Sequence, residues 1–402
     1  MATQLDSVPD KHFAGATAPS NLTDFYVQLK QVAPPISQSA SLPSVSYSAA
    51  EVLELEKQKI FRRAWICLGR SDQWTEVGHY SSREIIDIPV IICRDEQQQL
   101  RAYVNSCRHR GARLLEMGDG RCKTFSCPFH RWTYQLNGKL LQAPKFPRDN
   151  EAEEFNKADY GLLELPIAEQ AGFASISLSE DVPPLFEWLG DFPELHAPWS
   201  FDHLRSYKRH EFTVDCNWKA FLDVFNEYYH LPFVHPNSLD EFYRDPEAGD
   251  AVNGQYATQF GFTDGNPSLL EGTQQFALPQ IPNMPERESR GTRYTWTFPN
   301  MTFAANHDAV WMYEALPLSE RKSQIALTLC FPTESFKTTD FEQRAMRYFE
   351  RLMTAIEEDI PALENQQRGL NSPISQQGRY HELLEPNVAA FGFWYAGMMN
   401  VD

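Results

Sequence analysis

The 402-residue sequence predicts an α+β protein, in which an all-β domain is followed by a larger domain with helices around an antiparallel sheet. Short β-rich pieces with Asn-Gly and Gly-rich turns run from about 65 to 165. Alternating strand patterns occupy about 292–331, and helical patterns at about 217–231 and 339–369 lie on either side of them. Four prolines between 181 and 205 indicate a crossing segment at the domain boundary.

The predicted organisation has three parts. Residues 1–47, rich in Ser, Pro, Ala and Gln, are expected to form an N-terminal arm that lies on the surface or is partly disordered. Residues 48–180 form the all-β domain with a leading helix over about 49–63, which Ser48 and Glu51 would begin as a capping box. Residues 181–402 form the second domain.

Composition restricts the function classes. A formal net charge of −18 argues against nucleic acid and anionic membrane surfaces as partners. The chain begins without a signal-peptide pattern and has no apolar run approaching about 18 residues, so we expect a cytoplasmic protein without a membrane span. Seven Cys over so long a chain indicate free thiols or metal ligands rather than disulfides.

Two mixed Cys-His pairs form the first chemical constellation, with the spacing C-x-H-x17-C-x2-H. Cys107 with His109, and Cys127 with His130, could each reach one metal centre from a tight loop. A structural zinc site more often uses pairs of like residues. Two thiolates on one iron and two imidazoles on the other suit a [2Fe–2S] cluster. A zinc site and four unrelated residues stay open as alternatives, and Cys122 is a rival ligand that the spacing disfavours.

The second constellation is Glu227, His230 and His235. A spacing of three predicts that Glu227 and His230 share a helix face, where the carboxylate can accept the proton of the imidazole nitrogen that does not bind metal. Five residues of ideal helix turn His235 about 140° away from His230. Both can face one metal only if the helix breaks, and Pro232 supplies a break. By itself such a cluster is as often a satisfied polar group as a metal site.

The two motifs in this order resemble those of Rieske non-heme iron oxygenases. "CRHRG" and "CPFHRWTY" look like the cluster-binding form, and N-W-K followed by the Glu227 motif looks like the catalytic motif of the α-subunits. The resemblance implies a Rieske [2Fe–2S] domain and a helix-grip catalytic domain. The residue after the second cluster His is usually small in that family, and here it is Arg131.

The resemblance also implies a mononuclear Fe(II) held by His230, His235 and a downstream carboxylate, a facial triad with positions open for O₂. Asp359 is the predicted third ligand because Glu364 and the run Q-R-G-L follow it in the family's frame, and Glu357 and Glu358 are its rivals. Glu227 would link His230 to His130 of a neighbouring subunit, so the implied working unit is a homotrimer.

By the same resemblance the chain is a terminal oxygenase. It would oxidise a small organic substrate with O₂ and electrons from an NAD(P)H-dependent flavin and iron–sulfur reductase, directly or through a ferredoxin. Two alternatives belong to other functional classes. One is a Rieske electron carrier, which needs only the first motif, and the other is a zinc-binding module, which would be colourless.

The substrate class is predicted from Glu227 and from aromatic residues. Glu replaces the more frequent Asp in a subgroup resembling carnitine and glycine-betaine monooxygenases, which favours monooxygenation of a quaternary or N-methyl amine of the betaine, carnitine or choline type. The predicted pocket aromatics could surround an ammonium group by cation–π contact or an arene by packing, so an aromatic-ring hydroxylating dioxygenase is the alternative. These aromatics are Tyr228, Tyr229, Phe233, Trp296, Phe298, Trp311 and Tyr313.

The cluster-motif segment is basic although the chain is acidic. Residues 107–131 contain six Arg or Lys side chains against two acidic ones. They could pair with nearby acids and backbone, or form a docking surface for an acidic electron donor. The six are Arg108, Arg110, Arg113, Arg121, Lys123 and Arg131.

Overall fold

The computed structural model describes residues 22–146 and 155–400. Its N-terminal part differs from the predicted arm. Helix α1 (Leu22–Leu29) buries Phe25 and Leu29, and Val32 and Leu42 are also buried in the largest hydrophobic core. The prediction of a surface arm is therefore wrong for residues 22–47, because composition does not reveal the few apolar side chains that reach the core. Residues 1–21 lie outside the described residues.

The predicted leading helix begins differently from the expected capping box. It consists of α3 (Ala50–Glu56), which continues as a π-helical turn over Lys57–Phe61. Ser48 instead ends the short helix α2 (Val45–Ser48), and its Oγ donates to the carbonyl of Ser44 at 3.0 Å. The capping box is therefore wrong, since the hydroxyl is used within the preceding turn.

The first half of the chain is rich in β-structure, as predicted. Its strands pair antiparallel in three sheets, with orders β5-β2-β3-β4-β9, β6-β7-β8 and β1-β11-β10. The strands are β1 (Ile66–Arg70), β2 (His79–Ile85), β3 (Ile88–Arg94), β4 (Leu100–Val104), β5 (Gly118–Arg121), β6 (Thr124–Ser126), β7 (Thr133–Gln135), β8 (Leu140–Gln142), β9 (Glu164–Leu165), β10 (Ile167–Gln170) and β11 (Phe173–Ile176).

The second half is an antiparallel sheet of order β12-β18-β17-β16-β15-β14-β13 with helices around it. The α+β prediction is confirmed, including the strands over 292–331 and the long helix near 339–369. The elements are α4 (Leu185–Leu189), α5 (Phe192–Leu195), β12 (Leu204–Val214), α6 (Trp218–Phe225), α7 (Leu231–Val234), β13 (Tyr243–Pro246), β14 (Tyr256–Thr263), β15 (Gly291–Thr297), β16 (Met301–Ala305), β17 (Val310–Ser319), β18 (Lys322–Pro332), α8 (Phe341–Leu370) and α9 (Pro386–Asn400).

Helices α6, α8 and α9 cover one face of this sheet and share its core. The side chain of Gln367, near the end of α8, forms one hydrogen bond to the start of α6 and one to helix α2. The Gln367 side chain accepts from the backbone N–H of Asn217 at 2.8 Å and donates to the carbonyl of Tyr47 at 2.9 Å. The N-W-K and Q-R-G-L runs are thus in direct contact. The segment after N-W-K, which contains Glu227, therefore lies beside the segment before Q-R-G-L, which contains Asp359.

No helix within residues 22–146 and 155–400 is both long enough and apolar enough to cross a membrane. The domain limits at 47/48 and 180/181 stay a prediction.

Candidate functional site

The two Cys-His loops have the same backbone form. The first lies between β4 and β5, and the second between β6 and β7. In each, the Cys N–H donates to a carbonyl five residues ahead, and the Cys carbonyl accepts an N–H from four residues ahead. The donors and acceptors are Cys107 to Ala112 (2.8 Å), Gly111 to Cys107 (2.8 Å), Cys127 to Trp132 (2.8 Å) and Arg131 to Cys127 (3.0 Å).

The four predicted cluster ligands lie together at the tips of these loops. The two thiols are each 2% exposed, and the rings of His109 and His130 are 4.7 Å apart between centroids. Burial raises the pKa of Cys107, so a thiolate there needs a cationic partner. His109 Nδ1 is buried with no hydrogen-bond partner among the described residues. Two buried thiols and an unpartnered imidazole nitrogen fit a [2Fe–2S] cluster with mixed ligands.

Cys122 lies apart from the loops, as the spacing predicts. It precedes β6, and its backbone N–H donates to Gly78 at 3.0 Å. Burial raises the pKa of this thiol to about 11, which does not favour a reactive thiolate.

Arg131 occupies the loop position that Gly111 occupies in the first loop. Both have left-handed backbone, with φ of 61° at Arg131 and 76° at Gly111. A side chain is unfavourable in this conformation, which is why a small residue suits the position.

We expect Arg131→Gly to raise the free energy of unfolding by about 1 kcal/mol, since it removes left-handed strain at some cost in chain entropy. The measurement is the thermal unfolding midpoint, with the visible absorbance of the cluster as a check. Arg110→Gly is the matched control: Arg110 is exposed and its φ is not positive, so there the glycine should destabilise. Equal shifts for the two variants would contradict the strain.

The second constellation lies on a turn and a short helix, so Glu227 and His230 do not share the helix face that their spacing predicts. Helix α6 ends at Phe225, where buried Asn226 donates to the carbonyl of Leu222 at 2.7 Å. Glu227 lies in the following turn, and its Oε2 accepts the backbone N–H groups of Tyr229 and His230, the latter at 3.1 Å. The helix therefore breaks before Glu227.

Helix α7 lies between the two histidines. His230 is its N-cap and His235 its C-cap. Pro232 is in the first turn of α7, where a missing N–H costs nothing, so the predicted break at Pro232 is wrong.

His230, His235 and Asp359 converge, with their ligand atoms within 4.8 Å of one another. Asp359 Oδ1 lies 3.0 Å from His235 Nε2 and 3.7 Å from His230 Nε2, and it has no hydrogen-bond donor among the described residues. Burial lowers the pKa of His230, but Glu227 and Asp359 raise it more, so it lies above the ordinary value. Two imidazoles and an unpartnered buried carboxylate oxygen fit a two-histidine, one-carboxylate iron site.

Each histidine also has a carboxylate beside Nδ1, the ring nitrogen that faces away from Asp359. Glu227 Oε1 is 2.6 Å from His230 Nδ1, and Glu358 Oε2 is 2.6 Å from His235 Nδ1. Ionised carboxylates only accept, so both Nδ1 atoms carry the proton and both Nε2 lone pairs point to the Asp359 side. Glu358, which the sequence offered only as a rival ligand, is the partner of His235, and it is also held by Ser238 Oγ at 2.6 Å.

We expect Glu358→Gln to weaken Fe(II) binding roughly 10- to 100-fold, because an amide holds the His235 tautomer less strongly than a carboxylate does. Titration of metal-free protein with Fe(II) measures the change. Unchanged affinity would contradict this role for Glu358.

A narrow cavity of about 40 Å³ adjoins the three converging side chains, so a substrate would have to displace lining side chains. Tyr228 and Tyr313 line it, as predicted. The five other predicted aromatics do not: Tyr229 is 53% and Phe233 75% exposed on the surface, while Trp296, Phe298 and Trp311 are buried in the core. The remaining lining includes Phe225, Leu231, Tyr294, Arg351 and Ala355.

Sheet register explains the error for the two tryptophans. Tyr294 pairs through Ala304 with Trp311, so the alternating aromatics of β15 and β17 face the same side. Trp296 lies further along its strand and stacks on Phe391 of α9 at 3.9 Å. The sheet face of both tryptophans was predictable from the strand pattern. Their position along that face, beneath the helices, was not.

Comparison with known proteins accounts for both halves of the chain. Residues 64–159 match the Rieske [2Fe-2S] domain, and residues 201–401 match the ring hydroxylating alpha subunit (catalytic domain). The glycine betaine monooxygenase oxygenase subunit of Chromohalobacter salexigens is 27% identical, over 89% of this chain and 86% of that protein. The chloroplastic choline monooxygenase of Atriplex hortensis is 28% identical, over 90% and 78%.

Solved structures share the fold. A quaternary ammonium Rieske monooxygenase studied for carnitine oxidation by gut microbiota has a TM-score of 0.75 at 24% identity, covering 94% of this chain and 98% of that one. Naphthalene 1,2-dioxygenase from Rhodococcus sp. has a TM-score of 0.76 at 20% identity, covering 94% and 97%. With the catalytic-domain match over 201–401 and the Rieske match before it, the chain belongs to the Rieske non-heme iron oxygenases.

Proposed function

We propose that this oxygenase holds a [2Fe–2S] cluster through Cys107, His109, Cys127 and His130, and a mononuclear Fe(II) through His230, His235 and Asp359. The convergence of the last three side chains supports the second site. The cluster would supply electrons and the iron would activate O₂ beside the substrate. The chain's own residues orient both histidines through Glu227 and Glu358.

We further propose that Glu227 connects the iron site to the cluster of a neighbouring subunit in a homotrimer. Among the described residues, no hydrogen bond, ion pair or ring contact joins the cluster loops to the 227–235 segment of the same chain. His130 is exposed at its loop tip beside Phe129, which is 61% exposed. An exposed cluster ligand and a carboxylate already bonded to an iron-site histidine suit contact between copies.

The proposed reaction is monooxygenation of a quaternary or N-methyl amine. The observation that carries it is the lining beside the iron site, where the Phe225 ring centroid lies 4.7 Å from that of Tyr313 and 5.3 Å from that of Tyr294. Aromatic faces bind quaternary ammonium groups, and Glu227 and Asp359 add negative charge at the same place. The names of the glycine betaine and choline monooxygenase relatives agree with this class.

A substrate panel tests this reaction. Protein whose cluster has been reduced chemically is exposed to O₂ with glycine betaine, carnitine, γ-butyrobetaine, choline or simple arenes, and products are quantified. We expect product from at least one quaternary amine and none from arenes. Product only from arenes would support the alternative, a ring-hydroxylating dioxygenase, which shares this fold.

We propose that the electron donor is an NAD(P)H-dependent reductase, with or without a ferredoxin, which docks at the cluster loops. Three of the six basic residues are engaged: Arg113 with Glu84, Arg121 with Glu76, and Arg108 with the carbonyl of Gly161. Arg110, Lys123 and Arg131 are exposed and have no ion pair among the described residues. The candidate docking surface is therefore smaller than the sequence suggests.

We expect Lys123→Glu to slow reduction of the cluster by the donor about tenfold at low salt, with the difference shrinking as salt screens the charges. Stopped-flow reduction over a range of ionic strength measures it. The matched control is Lys139→Glu, an exposed lysine outside the cluster motif segment. Salt-independent reduction would argue against this surface. The cytoplasmic location expected from the sequence also stays a prediction.

A further inference from the structure

Arg351 is a buried charge at the candidate active site. It is 3% exposed and lines the cavity together with His230, His235 and Asp359. Its Nε donates to the carbonyl of Pro267 at 2.8 Å, and its Nη2 donates to Tyr243 Oη at 3.3 Å. Among the described residues no carboxylate lies within ion-pair distance of its guanidinium, which has five N–H donors. Most of its hydrogen-bonding capacity is therefore available.

Three other arginines are buried, and each has either an ion pair or several carbonyl acceptors. Arg94 pairs with Glu169 through two hydrogen bonds of 2.7 and 2.9 Å, and Arg293 forms an ion pair with Asp250. Arg70 lacks a carboxylate but donates to three backbone carbonyls. An arginine charge without an anion is costly in a protein interior. Arg351 has neither a carboxylate partner nor the three carbonyl acceptors of Arg70, and its guanidinium lies over the Trp311 ring, 4.9 Å from the ring centroid. It is also the one of these arginines that lines the cavity.

Helix geometry directs Arg351 and the iron-site carboxylate into one space. Arg351, Ala355 and Asp359 follow one another at intervals of four along α8, and all three line the cavity. Burial raises the pKa of Tyr313, while Arg351 lowers it and Asp359 raises it, so both charges act on one phenol of the lining. The cavity thus has a cationic group some two helical turns from the iron-site carboxylate, about 12 Å along the helix axis.

We propose that Arg351 binds a carboxylate of the substrate, so that the substrate is a zwitterion carrying both a quaternary ammonium and a carboxylate. The guanidinium binds carboxylates by two parallel hydrogen bonds, which a hydroxyl cannot reproduce. Betaine-type acids are then preferred over choline-type alcohols. The ammonium half of this inference rests on the proposed function above, while the carboxylate half rests on Arg351 alone.

Binding to the purified holoprotein without O₂ tests the proposal. The probes are γ-butyrobetaine and its methyl ester, which share length and ammonium group and differ only in the negative charge. We expect calorimetry to show the acid binding about 30-fold more tightly than the ester, as for a charged hydrogen-bonded pair. Equal affinity of the wild-type protein for acid and ester would overturn the proposal.

Variants assign the preference to this residue. In Arg351→Met the ratio of ester to acid dissociation constants should fall to within about threefold of unity, while Arg351→Lys should keep part of it. Arg347→Met is the matched control, because Arg347 lies one turn earlier on α8, pairs with Glu350 and does not line the cavity. The thermal midpoint and cluster absorbance identify a misfolded variant. A full preference retained in Arg351→Met would refute the assignment.

The experiment distinguishes a failure of the Arg351 carboxylate site from a failure of the proposed amine oxidation. If acid and ester are bound equally but quaternary amines are oxidised, Arg351 has been misassigned and the proposed function stands. If no quaternary amine is bound or oxidised, the proposed function fails, and carboxylic acids without an ammonium group are compared with their methyl esters. A preference for those acids that disappears in Arg351→Met would still support the carboxylate site, and no preference would reject it.

Discussion

Replacing Glu227 by Gln should leave both metal sites filled and lower turnover about 100-fold or more. The side chain stays the same size, and an amide oxygen can still accept a hydrogen bond from His230 Nδ1. In the wild-type protein this atom lies 2.6 Å from Glu227 Oε1. The variant loses the negative charge beside His230, and it therefore loses the proposed charged link to the cluster of a neighbouring subunit. Iron content, the spectrum of the reduced cluster and product formation with a reductase are measured together.

Glu358→Gln is the matched comparison, because Glu358 has the same bond to the other histidine. If both carboxylates only orient their histidines, the two variants should lose iron affinity and turnover to similar extents. If Glu227 also links the metal centres, its variant loses turnover at full iron occupancy, whereas added Fe(II) restores much of the activity of Glu358→Gln. Normal turnover in Glu227→Gln would rule out the link.

Asp359→Ala should abolish the mononuclear site. Its Oδ1 is the carboxylate oxygen that faces the Nε2 atoms of both His235 and His230. Without it two imidazoles remain, too few for a stable Fe(II) site with three protein ligands. Iron content should fall from about three atoms per chain to about two, with the cluster spectrum intact and turnover lost.

Glu357→Ala is the control for this loss, since Glu357 is the adjacent carboxylate in the same helix and is exposed. It should keep its full iron content and turnover. Iron loss in Glu357→Ala, or retention of iron in Asp359→Ala, would show that the third ligand has been misassigned.

The proximity of most candidate ligands could be predicted from local spacing. Cys107, His109, Cys127 and His130 lie on two short loops, and His230 and His235 are five residues apart, so sequence distance limits spatial distance. Asp359 lies far from them in sequence and was predicted only through the family's frame, in which Q-R-G-L follows it. In the structure Asp359 lies beside the histidines, and helix α8, which carries it, packs against α6 and α7. The ligand roles themselves stay predictions until metal is measured.

Features that depend on tertiary packing could not be predicted in the same way. Glu358 resembles any acidic residue on an exposed helix, and only its contacts with His235 and Ser238 reveal its position. Arg351 gave no signal either, because nothing in its neighbourhood indicates that its charge is buried without an anion. Register could indicate the sheet face of Trp296 and Trp311, but not which helix covers them.

Arg131 illustrates the reverse case, in which sequence raised a question that backbone geometry answers. Its departure from the usual small residue is a matter of backbone conformation, since it shares the left-handed position of Gly111. The cluster loop can still close, with Arg131 N–H donating to the Cys127 carbonyl at 3.0 Å.

Complementation between two inactive chains tests electron transfer between subunits directly. Cys107→Ser should lack the cluster and Asp359→Ala the iron, and each should be inactive alone. Co-expressed in equal amounts, they should regain about a quarter of the wild-type product yield per chain, because half of the chains keep an iron site and half of their neighbours keep a cluster. No activity in mixed oligomers that contain both chains and both metals would contradict electron transfer between subunits.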